Sequence, residues 1–274
     1  MKVINIGDIT VSNHAPYTLI AGPCQLESLD HARMLADQIS IATELTKTHW
    51  IFKASYDKAN RSSLHGERGL GIDEGLSILS KIKDEYKIPI LTDVHDTAQC
   101  AIAAEIVDII QIPAFLSRQT DLLIAAGETG TAVNIKKGQF LAPWDMANVA
   151  AKIASTGNHR ILLCERGTSF GYNMLVSDMR ALPIMSQTGY PIVFDATHSV
   201  QLPGGKGVSS DGQREFVAPL ARAAVAVGCA AVFIETHQDP DNAPSDGPNM
   251  LPISQLSGLL DELKKIDTIR KTTL

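Results

Sequence analysis

The chain has 274 residues, of which 45% are hydrophobic and 20% charged, and its formal net charge is −6. This composition is ordinary for a globular protein with a large core. The negative charge disfavours nucleic acid as a partner, and no apolar stretch reaches the roughly 18 residues that a membrane span needs. Because the N-terminus lacks the basic start and long apolar segment of a secretory signal, we expect a cytoplasmic protein.

The first residues predict a short β-hairpin. Gly7 and Asp8 separate two short apolar runs within residues 2–13, and a glycine-containing pair in such a place favours a tight turn. We expect this hairpin, residues 1–14, to precede the main fold and to close one end of it.

Eight apolar runs follow, and each ends on polar residues. The runs are 18–24, 50–55, 90–95, 107–113, 132–136, 161–167, 192–198 and 232–237. Amphipathic segments separate them, near 29–46, 71–86, 97–104, 119–127, 145–155, 175–187, 213–227 and 253–267. Strand, polar exit and helix, repeated eight times, predict an α/β fold, a single (β/α)8 TIM barrel over residues 1–274. In that fold the strand exits converge on one face, which carries the active site.

Three exits are longer than a minimal βα loop, at residues 56–70, 199–212 and 237–252. Long loops on a compact barrel are usually functional. Because Gly205 and Gly207 flank Lys206, we expect residues 199–212 to form a mobile loop that can cover the site.

Cys24, His198 and Glu235 end the first, seventh and eighth strands, which become neighbours when the barrel closes, and Asp246 lies in the loop after the eighth strand. A thiolate, an imidazole and two carboxylates suit a divalent transition metal such as Zn, Fe or Mn. The alternative is a packed thiol beside hydrogen-bonded loop residues, and further ligand candidates at strand exits are His95 and His237. The remaining cysteines, Cys100, Cys164 and Cys229, show no CxxC spacing and are expected to be buried free thiols.

Three cationic residues end other strands: Lys53 the second, Lys136 the fifth and Arg166 the sixth. Lysine offers a point charge and arginine a bidentate fork, which together suit phosphate and carboxylate on one small molecule. The alternative is a structural ring of salt bridges with nearby carboxylates, namely Asp93, Glu165 and Asp195. Three cations at one barrel mouth favour an anionic ligand.

The loop after the second strand contains a second candidate anion site. Arg61 and Ser62 are adjacent side chains that can bind a phosphate, and Asn60 can bind sugar hydroxyls. The alternative is an ordinary solvated loop. Two anion sites beside one metal indicate two phosphorylated substrates joined by aldol-type condensation or phosphoryl transfer. The chain has no Walker-type loop and no kinase signature.

Six segments closely resemble the 3-deoxy-D-manno-octulosonate-8-phosphate synthase family. They are 20–28 (IAGPCQLES), 52–63 (FKASYDKANRSS), 111–121 (QIPAFLSRQTD), 134–144 (NIKKGQFLAPW), 165–173 (ERGTSFGYN) and 195–205 (DATHSVQLPGG). The resemblance implies a transferase that condenses phosphoenolpyruvate with D-arabinose 5-phosphate and water. The products are 3-deoxy-D-manno-octulosonate 8-phosphate, for the lipopolysaccharide inner core, and inorganic phosphate.

The same resemblance implies roles for individual residues. Phosphoenolpyruvate would contact Lys53, Lys58, Gln111, Ala114, Lys136 and Arg166. Arabinose 5-phosphate would place its phosphate on Arg61 and Ser62 and its hydroxyls near Asn60 and Asp93. Ser55 and Gln201 join the substrate-binding set, and Phe115 and Arg118 would reach the acceptor phosphate from a neighbouring subunit of a homotetramer. The residues expected to act in catalysis are Cys24, Lys58, His198 and Asp246.

The family divides into metal-dependent members with cysteine at the position of Cys24 and metal-free members with asparagine. This chain resembles the metal-dependent members, with His198, Glu235 and Asp246 as the other ligands. A sister family, 3-deoxy-D-arabino-heptulosonate-7-phosphate synthase, takes erythrose 4-phosphate and carries a Lys-Pro-Arg loop where this chain has residues 58–61. Two further alternatives are a Schiff-base aldolase with Lys53 or Lys136 as nucleophile and a non-catalytic sugar-phosphate or metal-binding module.

Overall fold

The computed structural model describes residues 1–60, 63–64, 66–205 and 211–272. Two predicted phosphate-binding residues, Arg61 and Ser62, lie outside the described residues. So do residues 206–210, the centre of the loop expected to be mobile.

Parallel strands form a closed barrel with an outer layer of helices. The barrel strands are β1 (Thr18–Gly22), β2 (Trp50–Lys53), β3 (Ile90–Asp93), β4 (Ile109–Ile112), β5 (Ala132–Lys136), β6 (Ile161–Glu165), β7 (Ile192–Asp195) and β8 (Ala231–His237). Each strand pairs with the next in the chain, and β8 pairs with both β7 and β1, so the sheet closes. The prediction of a (β/α)8 barrel is therefore confirmed.

Helices follow the barrel strands along the chain: α1 (Leu29–Thr46), α2 (Ile72–Tyr86), α3 (Thr97–Ala104), α4 (Thr120–Glu128), α5 (Met146–Ala154), α6 (Ala181–Ser186), α7 (Val217–Val227) and α8 (Leu256–Thr272). Ser28 caps α1, because its hydroxyl accepts a hydrogen bond from the backbone N–H of His31. Most predicted helices agree with these bounds within two residues, but α8 runs beyond the expected end at 267, and short 3-10 turns precede α7 and α8.

The predicted helix over 175–187 is wrong in its first half. Leu175–Val176 pairs with Thr168–Ser169 as a small antiparallel ribbon, and α6 begins only at Ala181. Proline lacks the N–H that a helix interior needs, and its ring clashes with the carbonyl four residues earlier. Pro183 is therefore accommodated in the first turn of α6, and the helix does not extend back to residue 175.

The N-terminal hairpin closes the lower end of the barrel, as predicted. Its strands, Ile4–Ile6 and Ile9–Val11, are joined through Gly7, whose φ of 55° lies in the left-handed region that glycine favours. Hairpin side chains form one buried cluster with inward-facing residues of the barrel strands, among them Ile20, Ile51, Leu91, Ile109, Leu162, Val193 and Phe233. The alternate strand positions face outward and pack against the helices.

Two residues beyond these apolar positions, the inward-facing side chains become polar. Side chains point to the same face of a strand every second residue, so Lys53 follows Ile51, Asp93 follows Leu91 and Glu235 follows Phe233. Other polar residues near the ends of their strands are Gln111 on β4, Lys136 on β5 and Asp195 on β7. The barrel thus has an apolar lower half and a charged upper mouth, where the strands end.

The four cysteines are buried and free, as expected. Across the described ranges, no helix is both long and apolar enough to cross a membrane.

Candidate active site

The upper mouth of the barrel contains a cavity of about 480 Å³, a size that suits small-molecule ligands. Of the residues singled out from the sequence, fourteen line it: Lys53, Lys58, Asn60, Asp93, His95, Gln111, Ala114, Phe115, Lys136, Arg166, His198, Gln201, Glu235 and Asp246. The loop over residues 243–248 forms much of the remaining wall. The predicted strand-end residues therefore converge on one site.

Cys24, Glu235 and Asp246 form a compact set of metal-ligating groups, with one ligand atom from each within 4.8 Å of the others. The Cys24 thiol donates to Asp246 Oδ2 at 3.2 Å. His198 Nε2 lies 3.5 Å from Asp246 Oδ2 and 3.7 Å from Glu235 Oε2, and Glu235 Oε2 is buried with no hydrogen-bond partner among the described residues. Three of the four predicted ligands therefore converge, and His198 lies beside the two carboxylates among them.

Local backbone geometry brings these ligands together. A Cβ on Gly22 would lie 1.9 Å from the carbonyl oxygen of Lys53, so only glycine allows the end of β1, and with it Cys24, to approach β2 so closely. Asp246 adopts a left-handed conformation with φ 51°, which aspartate tolerates better than most residues. Its neighbour Gly247 has no room for a Cβ, which would lie 2.2 Å from the carbonyl oxygen of Pro240.

The electrostatics of this set favour a bound cation. Burial raises the pKa of the Cys24 thiol, and the carboxylates of Asp246 and Glu235 raise it further. Burial alone would also raise the pKa of Glu235, but Lys53, His198 and Lys58 outweigh it and lower that pKa to about 2. The site thus concentrates anionic carboxylates around a thiol, the environment in which a divalent metal is stabilised.

His198 is held by Asp195, which accepts from its backbone N–H at 2.8 Å and from its ring Nδ1 at 2.8 Å. Lys136 Nζ donates to the same carboxylate at 2.6 Å. A carboxylate that accepts from Nδ1 selects the tautomer with a free Nε2 lone pair. The ring therefore directs Nε2 towards Glu235 and Asp246.

The cationic strand ends differ in whether they are already paired. Lys136 is paired with Asp195 at 2.6 Å, one of the carboxylates that the salt-bridge alternative named. Lys53 lies 2.5 Å from Glu235, a carboxylate that this alternative did not include. Arg166 is buried and donates through Nη2 to Gln201 at 2.9 Å, but its Nε and Nη1 have no partner within the described ranges. Because unpaired buried donors are costly, Arg166 is the cation here that most needs a ligand.

A hydrogen-bonded chain lines the opposite wall. Lys58 Nζ donates to Ser55 Oγ at 2.9 Å, and Ser55 donates to Asp93 Oδ1 at 2.5 Å. His95 Nε2 lies 3.1 Å from Asp93 Oδ2. Burial alone would lower the pKa of His95, but its hydrogen bond to Asp93 and the charge of that carboxylate raise it overall.

Of the predicted site residues that the structure describes, Cys24, Ser55 and Arg118 do not line the cavity, and Cys24 and Ser55 are buried behind its wall. Arg118 is exposed and does not line the cavity of its own chain, whereas Phe115, also expected to act from a neighbouring subunit, does line it. Gln111 accepts from Asn134 at 3.0 Å, which fixes its amide at the cavity wall.

Sequence reasoning missed a buried ion pair beneath Arg166. Lys137 is fully buried and lies 3.5 Å from Glu165, while Glu165 Oε1 accepts from the backbone N–H groups of Arg166 and Gly167 at 3.1 and 2.7 Å. The only signal was a second lysine directly after Lys136, at an outward position where an apolar residue is expected.

Comparison with known proteins agrees with the family resemblance of the sequence. The sequence model of the DAHP synthetase I family matches residues 2–272. Relatives named 2-dehydro-3-deoxyphosphooctonate aldolase include a protein of Granulibacter bethesdensis, 61% identical over 270 residues that cover 98% of this chain and 96% of the relative. The Bartonella henselae protein is 58% identical over 272 residues, 99% and 98% of the two chains. The Brucella ovis protein is 60% identical over 270 residues, 98% of each chain.

Proposed function

The chain belongs to the DAHP synthetase I family, and we propose that it catalyses the reaction of the 2-dehydro-3-deoxyphosphooctonate aldolases that it resembles at 58–61% identity. It condenses phosphoenolpyruvate with D-arabinose 5-phosphate and water. The products are 3-deoxy-D-manno-octulosonate 8-phosphate, a precursor of the lipopolysaccharide inner core, and inorganic phosphate.

One observation supports this function above the others: a metal-ligand set and unpaired cationic donors face a single cavity. The ligand set is formed by Cys24, Glu235 and Asp246 with His198 beside them. The unpaired donors are Nε and Nη1 of Arg166, which have no partner among the residues that the structure describes. A phosphorylated substrate satisfies these donors through charge-assisted hydrogen bonds. Phosphoenolpyruvate therefore lies against Arg166, with Lys53, Gln111, Ala114 and Lys136 around it.

The ligand set fits a divalent metal. Its donors are a thiol, an imidazole nitrogen and two carboxylates, and the unpartnered Oε2 of Glu235 faces the others. Mixed soft and hard donors of this kind suit Zn, Fe or Mn. When bound, such an ion supplies Lewis-acid polarisation of a carbonyl or water oxygen.

In the reaction, C3 of the enol phosphate forms a bond with the aldehyde carbon of the acceptor, whose oxygen takes up a proton. The oxygen of water bonds to C2, and the C2–O bond to phosphate then breaks, releasing inorganic phosphate. Both substrates are polyanions, so their mutual repulsion must be screened. Lys58 lies in the cavity wall close to Cys24, Glu235 and Asp93; although burial would lower its pKa, these groups raise it, so the ammonium persists.

The acceptor lies on the wall formed by Asp93 and Asn60, and Ser55 supports Asp93 from behind through its hydrogen bond. Asp93 keeps its negative charge: burial raises its pKa, but His95 and Lys58 lower it more strongly. A fixed carboxylate accepts hydrogen bonds from sugar hydroxyls and orients the aldehyde carbon. Arg61 and Ser62 are expected to hold the acceptor phosphate, with Gln201 bridging Arg166 and Asp246 across the mouth.

The Schiff-base alternative is less well supported by the geometry. Lys53 and Lys136 both lie in buried ion pairs, at 2.5 and 2.6 Å from carboxylates. Each amine is therefore held by a carboxylate partner rather than left free to attack a substrate carbonyl as a Schiff-base nucleophile must. Borohydride reduction in the presence of substrate is expected to leave both lysines unmodified.

A homotetramer is part of the proposal. Large apolar side chains are exposed near the cavity, at 55% for Phe115, 56% for Phe140, 66% for Trp144, 68% for Phe170 and 97% for Tyr172. The loops that carry Phe140 and Phe170 touch, since Ser169 N donates to Gln139 O at 2.9 Å. An apolar surface of this kind marks an interaction site, and a neighbouring copy that covers it would bring its own Arg118 towards the acceptor phosphate.

The test is release of inorganic phosphate from phosphoenolpyruvate by the full-length protein. We expect release that depends on D-arabinose 5-phosphate, is far slower with erythrose 4-phosphate, and is lost after chelation and restored by added metal. Faster release with erythrose 4-phosphate would favour the sister reaction. Ligand binding without phosphate release would favour a non-catalytic module, and full activity with no bound metal by elemental analysis would disprove the metal assignment.

A further inference from the structure

The buried ion pair of Lys137 and Glu165 lies directly beside the cations of the cavity. Both side chains are essentially fully buried, and neither lines the cavity. Lys137 is the first residue after β5 and Glu165 the last residue of β6, and these two strands are paired. Lys136 directly precedes Lys137, and Arg166 directly follows Glu165. The pair therefore lies where it can fix cationic side chains that face the substrate.

The Glu165 carboxylate holds the backbone of Arg166. Its Oε1 accepts from the backbone N–H groups of Arg166 and Gly167, at 3.1 and 2.7 Å. Hydrogen bonds to a charged acceptor are stronger than those between neutral groups. Gly167 has a φ of 91°, a left-handed conformation that glycine adopts without strain. One carboxylate thus fixes the backbone from which the Arg166 side chain extends.

The Lys137 ammonium ties the same backbone to the loop after β5. It lies 3.5 Å from Glu165 and donates to Gly167 O at 3.4 Å and to Thr168 Oγ1 at 3.0 Å. On the other side it donates to Leu141 O at 3.2 Å. Because an ammonium carries several donors, a single side chain joins the exits of β5 and β6. Loss of this ammonium would release residues 166–168 from the loop over 138–141.

The Arg166 side chain depends on this support more than the neighbouring cations do. Lys53 and Lys136 are each held by a carboxylate, at 2.5 and 2.6 Å. Arg166 Nη2 donates to the neutral amide of Gln201 at 2.9 Å, and its Nε and Nη1 have no partner in the described ranges. The position of its guanidinium in the absence of substrate is therefore set largely by its backbone.

Stability alone gives no reason for two charges at this place. Replacing a buried ion pair by well-packed apolar residues is often neutral or stabilising. Burial raises the pKa of Glu165 and lowers that of Lys137, and Glu165 Oε2 is buried without a hydrogen-bond partner among the residues described. Departures of this kind from stable packing are expected at functional sites.

We propose that Lys137 is a positioning residue for phosphoenolpyruvate: through Glu165 and the backbone of residues 166–168, it holds the Arg166 guanidinium towards the cavity. The inference rests on the proposed function, in which phosphoenolpyruvate lies against Arg166. Lys137→Met is expected to raise the Kd for phosphoenolpyruvate at least about tenfold, because a misplacement of about 1 Å caused from a distance can cost about 100-fold.

Calorimetric titration of the full-length protein with phosphoenolpyruvate, combined with steady-state kinetics well below the Tm of each variant, tests this role. In Lys137→Met, the Kd and KM for phosphoenolpyruvate should rise, while the KM for D-arabinose 5-phosphate stays unchanged. Lys265→Met, which alters an exposed lysine, should change none of these constants. A purely structural role would lower the active fraction, and with it kcat, without changing the Kd. An unchanged Kd would overturn the inference alone, whereas no binding of phosphoenolpyruvate by the unaltered protein would overturn the proposed function and this inference with it.

Two further variants separate positioning from folding. Lys137→Met combined with Glu165→Gln removes the unpaired carboxylate and is expected to be more stable than Lys137→Met, yet it should still bind phosphoenolpyruvate weakly. If affinity returns together with stability, Lys137 has no positioning role. In an Arg166→Gln background, Lys137→Met should not raise the Kd further, because residues that act through one another are not additive. An equal rise in both backgrounds would overturn the inference.

Discussion

Replacement of Lys137 by methionine is expected to destabilise the protein much more than replacement of an exposed lysine such as Lys265. The Lys137 side chain is fully buried. Its ammonium donates to Leu141 O at 3.2 Å and Thr168 Oγ1 at 3.0 Å, and it lies 3.5 Å from the Glu165 carboxylate. Methionine fills a similar volume but offers none of these donors, so the change isolates the loss of the charge and its hydrogen bonds.

The size of the effect follows from the carboxylate left behind. Removing one partner of a buried ion pair costs about 3–5 kcal/mol, which for a chain of 274 residues corresponds to a fall of about 5–9 °C in Tm. Burial already raises the pKa of Glu165, and Lys137 opposes that rise. Without Lys137 the pKa of Glu165 rises further, and a raised carboxyl pKa lowers stability as pH increases. The loss of Tm should therefore be larger at pH 8 than at pH 5.5.

Thermal unfolding at the two pH values measures this loss. Lys265→Met is the matched control, because Lys265 forms an exposed pair with Asp261 at 2.6 Å and such pairs contribute less than about 1 kcal/mol. The double variant Lys137→Met with Glu165→Gln should recover part of the loss, because it removes the unpaired carboxylate. A Tm for Lys137→Met equal to that of Lys265→Met, or a loss that is independent of pH, would refute the reasoning.

Three further predictions concern the site and its surroundings. Cys24→Asn should weaken active-site metal binding more than tenfold by equilibrium dialysis, since it removes the thiolate; unchanged affinity would count against Cys24 as a ligand. His95→Gln should destabilise most near pH 5–6: the pKa of His95 is raised and that of Asp93 lowered, so the stability that their charged pair contributes is fully present between the ordinary values of 3.8 and 6.5 and is lost as pH rises through the raised pKa of His95; equal losses of Tm at pH 5.5 and 8.5 would contradict this. Phe170→Glu should lower the mass seen by light scattering, whereas Ile41→Glu, which alters an exposed apolar residue on α1, should not; a tetramer in both variants would argue against the proposed interface.

The sequence allowed the barrel to be predicted because its signal is periodic and local. Each apolar run and each following amphipathic segment is recognisable without knowledge of its neighbours. The error at 175–187 arose for two reasons. An amphipathic pattern does not show that a proline such as Pro183 is excluded from a helix interior. In addition, residues 168–176 form a ribbon that depends on pairing between two short segments.

Within the site, the sequence predicted which residues face the mouth but not which of them pair. The alternation of side chains along a strand places Lys53 and Glu235 inside the barrel. Their contact at 2.5 Å, however, depends on the pairing of β1 with both β2 and β8. The same alternation directs the Lys137 side chain away from the mouth. Its ion pair joins the first residue after β5 to Glu165, the last residue of β6, and nothing in either local segment specifies it.

The charged mouth is an arrangement that stability alone does not favour. On the same strands, Ile51 and Phe233 occupy the inward positions two residues before Lys53 and Glu235, and all four side chains are essentially fully buried. Replacing a buried ion pair by well-packed apolar residues is often neutral or stabilising, so continuation of the lower apolar layer would serve the fold at least as well. The buried pairs, together with the Arg166 donors that lack a partner among the described residues, are therefore what the proposed function, with its ion and anionic substrates, would require.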